Sequence, residues 1–276
     1  MDVSCYAYGA QEAFERDGLR WRPAIADELP AVPQGVLVVD SYRLSHEGLE
    51  RAARSSRMVV MHDHGGVPKG AALVVSPART VSEGTVARLV GLEHVALRPG
   101  FWGLPRRQLR DRVGHVLVTT GSGELYALAL EIARAVARAL PAARVTLVRG
   151  PHASSSGFPE NVSLLDVPDC LVDALLFADL AITAGGQTML EAAAAGTPCI
   201  ALPLAENQRR QVACLARLGA VRVVDPPSAD RSAAAAVGLA RDKVQRRDLS
   251  WRSQQAIDGY GALRLAFQVE RLARLP

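Results

Sequence analysis

Short apolar runs, each closed by a glycine or a polar cluster and followed by a stretch of helical periodicity, recur along the 276 residues. The pattern predicts strands alternating with helices. In the first part, strands are expected at Val3–Tyr6, Gly35–Asp40, Met58–Met61 and Ala72–Val75, an amphipathic stretch at 11–16 and a helix at 49–54. Residues 99–105 are rich in Pro, Gly and aromatic side chains and read as a linker, and the pattern restarts after them. Strands are then expected at Gly114–Thr120, Val145–Val148, Val162–Leu165, from Ala181 to the glycines at 185, at Cys199–Leu202 and at Val221–Val224. Helices are expected after Gly121, with Leu125, Leu128, Ala129, Ile132, Val136 and Leu140 on one face, and at 170–177, 188–195, 209–218, 229–245 and 259–275. The expected fold class is therefore α/β, with two Rossmann-like doubly wound domains facing across a cleft, 1–104 and 105–276.

Composition narrows this little. With 49% apolar residues the chain can build real cores, and its net charge of +4 comes from Arg scattered among Glu and Asp with no basic run. That argues against a nucleic-acid partner. Cys5, Cys170, Cys199 and Cys214 lie far apart, without a C-x-x-C pair, so reduced thiols are expected in a cytoplasmic protein, and neither disulfides nor a zinc site. The start has no signal-peptide pattern, and Gly196, Pro198 and Pro203 interrupt the longest apolar stretch, so no membrane span is expected.

The densest candidate chemistry lies at 181–208. Gly185 and Gly186 allow a sharp turn and close approach of the backbone, and the helix after them aims free N–H groups and its positive end at that turn. A phosphate fits there. Thr188 and Glu191, three apart, share one helix face, which puts a carboxylate one turn deeper, where it could accept hydrogen bonds from both hydroxyls of a ribose. Gly196 and Pro198 stop the helix, and Glu206, Asn207 and Gln208 form a second polar loop after the next strand. The plainer alternative is a βαβ crossover whose glycines serve only packing. Elsewhere, Asp40 closes a buried strand, with Ser41 and Tyr42 after it. It either lines a cleft or caps the helix starting near Ser45. His62 and His64 follow another strand on either side of Asp63 and could supply a general base or two metal ligands; no third ligand accompanies them, and no metal is expected. Gly121-Ser122-Gly123 is a second strand–glycine–helix turn.

The segment Gly185-Gly-Gln-Thr-Met-Leu-Glu191, followed by Gly196-Thr-Pro198 and Ala205-Glu-Asn-Gln208, resembles the C-terminal nucleotide-sugar site of the GT-B superfamily, which includes glycosyltransferases of the MurG type. In particular, the chain resembles the nucleotide-sugar hydrolases of the pseudaminic acid pathway and the related spore-coat polysaccharide proteins. Val39-Asp-Ser-Tyr42, Leu97-Arg-Pro-Gly-Phe101 and Ile257-Asp-Gly-Tyr-Gly-Ala-Leu-Arg264 match in family order. The resemblance implies a hydrolase releasing UDP from a UDP-linked acetamido sugar in surface-polysaccharide or sialic-acid-like biosynthesis. A transferase using a UDP-sugar donor and a non-catalytic nucleotide-sugar-binding subunit are the alternatives. The resemblance places substrate on Gly185, Gly186, Gln187, Thr188, Glu191, Glu206, Asn207 and Gln208, without a cofactor; by their positions at strand ends Tyr42 could line the cleft, and Gly121 and Ser122 either form the opposite wall of the phosphate site, contact the domain junction or make only a structural turn. The family's opening glycine loop and Gly-His-x-x-Arg motif have no counterpart here, so the expectation is either a misplaced or truncated start or a shortened N-terminal domain without the usual base. Its sheet edge would be covered by a partner chain or a second copy, and His62, His64 and Asp40 are the remaining catalytic candidates.

Overall fold

The computed structural model describes residues 4–7, 20–23, 29, 32, 35–41, 44–61, 68–77, 87–121, 125–149, 158–166 and 170–275. The chain divides into two compact units, one of Met1–Ser76, Thr80–Leu89 and Ala266–Pro276, the other of Pro77–Arg79 and Val90–Leu265.

In the first unit, β1 (Ser4–Ala7) pairs in parallel with β2 (Arg20–Pro23). A separate sheet has the order β3 (Val36–Val39), β4 (Arg57–Met61), β5 (Leu73–Ser76), β6 (Ala87–Val90). The apolar runs had marked β1, β3, β4 and β5; β2 and β6, with Arg at alternate or central positions, carried no such signal. Helix α1 (His46–Ser55) covers the sheet with Leu49 and Ala52, against a core of Leu37, Met58, Val60 and Val74. Its cap is Ser45, whose hydroxyl accepts from the Gly48 N–H at 3.0 Å, so Asp40 does not serve as the cap.

The second unit is a six-stranded sheet. Its elements run β7 (His115–Thr119), α2 (Tyr126–Ala139), β8 (Arg144–Arg149), β9 (Val162–Asp166), α3 (Val172–Phe177), β10 (Leu180–Ala184), α4 (Gln187–Ala194), β11 (Cys199–Leu202), α5 (Glu206–Arg217), β12 (Arg222–Val223), α6 (Ala229–Arg241), α7 (Lys243–Ala256) and the start of α8 (Gly261–Ala273), whose residues from Ala266 on belong to the first unit. The order across the sheet is β12-β11-β10-β7-β8-β9, and every pair is parallel. Counting from β7, this is the doubly wound order, third, second, first, fourth, fifth, sixth. Its switch point lies between β7 and β10, where Ile182 is in register with Val118.

β10 and β11 are buried along their whole length because helices cover both faces, which is why they read as unbroken apolar runs. On one face, Ile132 and Val136 of α2 meet Ala236 and Leu239 of α6. On the other, Leu175, Met189, Val212 and Leu215 pack with Leu92, Val95, Leu97 and Phe101 from the segment before β7. The expected linker is thus part of the core: Pro99–Phe101 forms a turn of 3₁₀ helix and Phe101 is fully buried. The helix expected at 229–245 is two helices. Asp242 ends α6 and caps α7 by accepting from the Gln245 N–H at 2.8 Å. Cys199 and Cys214 are buried free thiols, and burial pushes the Cys199 pKa up to about 12.

Candidate functional site

In doubly wound sheets, ligands collect beyond the carboxyl ends of the strands at the switch point. Here two glycine turns leave the sheet at that place. After β7, Gly121 adopts φ +88°, a conformation that favours glycine. Thr120 Oγ1 donates to the Leu125 carbonyl at 3.0 Å. After β10, the Gly185 N–H donates to Leu202 O at 2.8 Å, and Gln211 Nε2 donates to Gly185 O at 2.7 Å. A Cβ at Gly185 would lie 2.3 Å from Val212 Cγ2, so glycine is what lets α5 pack directly on the turn. Gly186 is the N-cap of α4 and supplies no side-chain cap, so among the described residues no capping side chain occupies the N–H groups of the first turn.

One turn into α4, Glu191 is 6% exposed. Burial raises its carboxyl above the usual carboxylate range, and the charge of Arg98 pulls it back down. Thr188, on the same face, is half-buried, and Gln187 is exposed and donates from Nε2 to Ala96 O at 3.0 Å. That bond ties the loop carrying Arg98 to the start of α4.

The loop is held from its other side by the Asp-Gly-Tyr-Gly segment. Arg264 donates to Glu93 O at 2.6 Å and forks onto Asp258 at 2.8 and 2.5 Å. A Cβ at Gly259 would lie 2.1 Å from Phe101 O, and one at Gly261 would lie 2.1 Å from Val95 O. Trp102 Nε1 adds a bond to Leu97 O at 2.8 Å. Burial holds His94, in the middle of this clamp, below the usual imidazole range, against the pull of Glu93. The two glycines of that motif are therefore positions of close backbone approach.

The structure brings Gly185, Gly186, Gln187, Thr188 and Glu191 together at one edge of the sheet, with Gly121 two residues beyond the neighbouring strand β7 across the switch point. Glu206, Asn207 and Gln208 belong to the first turn of α5 and not to a loop. Glu206 pairs with Arg209 at 3.2 Å, Asn207 is exposed, and Gln208 Oε1 accepts from the Leu204 N–H at 3.0 Å. Asp40 is exposed just after β3. Tyr42, His62, His64 and Ser122 lie outside the described residues. Sequence reasoning assigned no role to Arg98 or Gln211. Arg98 stood only inside Leu97-Arg-Pro-Gly-Phe101, a run matched in family order without a role for its cation. Among the described residues, no group of three His, Cys, Asp or Glu could hold a metal ion, and no helix is long and apolar enough to cross a membrane.

No protein-family model matches the chain and no curated protein matches it. Solved structures do. The chain is similar to MurG of Acinetobacter baumannii with a TM-score of 0.62 and 12% identity, covering 98% of this chain and 91% of that one. It is similar to the spinosyn rhamnosyltransferase SpnG complexed with thymidine diphosphate with a TM-score of 0.62 and 18% identity, covering 86% and 72%. A kitacinnamycin glycotransferase matches over 60% of this chain at 27% identity with a TM-score of 0.48, and the chain spans 44% of that protein's length. The fold is that of the GT-B glycosyltransferases, two α/β units each with a parallel sheet.

Proposed function

We propose that the chain is a glycosyltransferase of GT-B fold that uses a nucleoside-diphosphate sugar, UDP-linked in the first instance. In this reading the 105–276 domain binds the donor, with the diphosphate on the backbone of Gly185–Thr188 and the ribose on Glu191. The observation that carries it is the buried Glu191 one turn below a helix N-terminus that no side chain caps, at the switch point of the sheet. A carboxylate buried there is costly unless hydroxyl donors meet it, and a ribose edge supplies two, while the uncapped N–H groups and the helix dipole favour the diphosphate.

The sequence resemblance points to a hydrolase. The similar folds are named as transferases, one of them solved with thymidine diphosphate, and they favour the transferase reading over the hydrolase. A transferase needs a base for the acceptor hydroxyl, and Asp40, His62 and His64 are the proposed candidates. Asp40 follows β3 and His62 follows β4 in sequence, and these strands are neighbours with Val39 opposite Val60.

Calorimetric titration with UDP and with thymidine diphosphate tests the donor site. Glu191→Ala should weaken binding by about 1.5–3 kcal/mol, the range for hydrogen bonds to a charged group, or about 10- to 150-fold in Kd. A folded variant with unchanged affinity for both nucleotides would overturn the assignment. Release of nucleoside diphosphate from a UDP-sugar should depend on an added hydroxyl acceptor; release at the same rate in water alone returns the hydrolase reading.

A further inference from the structure

The opposite edge of the same sheet, where the strands begin, carries a feature the donor site does not use. Residues 105–115 run along this edge: Asp179, which precedes β10, accepts from the N–H groups of Gly114 and His115 at 2.8 and 3.0 Å and pairs with Arg110 at 3.2 Å. Two buried side chains of α7 fix the segment at two points. Gln254 donates to Pro105 O at 3.0 Å and accepts from the Arg107 N–H at 3.0 Å, while its amide also reaches Ala194 O at 3.2 Å. Arg246, 1% exposed, donates to Arg110 O at 3.2 Å and Asp111 O at 2.7 Å. Eight residues of helix separate these anchors, a span of about 12 Å.

Between them the segment does not collapse onto the helix. A cavity of about 370 Å³ remains, lined among others by Arg106, Leu109, Lys243, Arg247 and Trp251. Lys243 is paired with Asp111. Arg106 and Arg247 are exposed and meet no carboxylate among the described residues. Two uncompensated guanidinium groups at one preformed hollow make a site of positive potential, and their planar forks suit the oxygens of a phosphate group. Trp251, 56% exposed, and Leu109 add an apolar wall beside them.

We propose that this cavity is a second ligand site, distinct from the donor site, which binds a phosphate group attached to an apolar moiety through Arg106 and Arg247, with the apolar part against Trp251. The same chemistry is presented by a soluble aromatic phosphomonoester and by the headgroup region of an anionic phospholipid.

Both sources are tested on the full chain. Phenyl phosphate is titrated by calorimetry with UDP present in excess, and binding to vesicles of phosphatidylglycerol in phosphatidylcholine is measured by co-sedimentation against vesicles of phosphatidylcholine alone. The wild type should bind one probe or both. Binding of phenyl phosphate alone assigns a soluble ligand; binding of the anionic vesicles assigns a lipid headgroup. The double variant Arg106→Ala, Arg247→Ala should lose about tenfold or more in affinity, with its melting temperature and UDP affinity unchanged, because both side chains are exposed and lie at the far edge from Glu191. Trp251→Ala should weaken binding with the apolar probe and leave inorganic phosphate unaffected. Failure of the wild type to bind either probe, or equal binding by the double variant, overturns the proposal. A loss of UDP binding in Glu191→Ala bears only on the donor site.

Discussion

Gly238 and Gly261 are both helical glycines, yet alanine should act on them with opposite sign. At Gly238, exposed in α6, a new Cβ meets nothing within 4 Å. The substitution then gains only helix propensity, about 0.5–1 kcal/mol. At Gly261 the Cβ would sit 2.1 Å from Val95 O, and Cβ contacts under 3.0 Å essentially do not occur, so the carbonyl must retreat by about 0.9 Å, the difference between 3.0 and 2.1 Å. Val95 is 2% exposed and packs with Leu92 and Leu97, so that retreat disturbs a filled core at about 1–3 kcal/mol. It also pulls on the Arg264–Glu93 and Gln187–Ala96 bonds at about 1 kcal/mol each, against about 1 kcal/mol of helix propensity gained. The net is a loss of about 2–4 kcal/mol. Differential scanning calorimetry should show the C-terminal unit melting about 4–16 °C lower in Gly261→Ala and about 1–4 °C higher in Gly238→Ala. A Gly261→Ala protein that melts at or above the wild type would refute the close-approach role of the motif.

Nucleotide affinity should depend on pH through Glu191. In the proposed donor site the carboxylate is the form that accepts from the ribose hydroxyls, and burial has raised its pKa, so UDP affinity should fall by up to about tenfold per pH unit once the pH drops through that raised value. Stability should run the other way. The folded state holds the proton more tightly than the unfolded chain, so this group's contribution is present at low pH and lost as the pH rises from the usual carboxylate range through the raised value. Glu191→Gln should flatten both profiles, and titrations and melts across that window would show whether it does. Arg246→Met should cost about 2–5 kcal/mol, because it leaves the buried carbonyl of Leu239 and the partly buried carbonyls of Ala240, Arg110 and Asp111 without this donor; a melting curve unchanged from the wild type would count against it.

What the sequence determined by itself was local. A buried strand, two glycines, one helix and Gly196 at φ +66° could be read at 181–202 because turn chemistry, helix periodicity and the apolar run of a strand covered on both faces act over a few residues. The alternation of strands and helices was legible for the same reason, and so was the carboxylate at 191 lying one turn below the glycines. β2 and β6 were not, since their arginines break the apolar signal, nor was the break at Asp242, where a cap residue interrupts a continuous helical pattern.

Only the tertiary structure decided that β7 lies beside β10, and so that Gly121 and Gly185 share one switch point, because strand order depends on pairings between residues about sixty apart. It likewise decided that residues 99–105 are core and not linker: Phe101 is an aromatic among turn formers in the sequence, and its burial comes from α3 and from Gly259, more than 150 residues later. Arg98 beside Glu191 and the open cavity between Gln254 and Arg246 have the same origin. Each is made by side chains that meet only after the sheet has closed and brought distant turns to one edge.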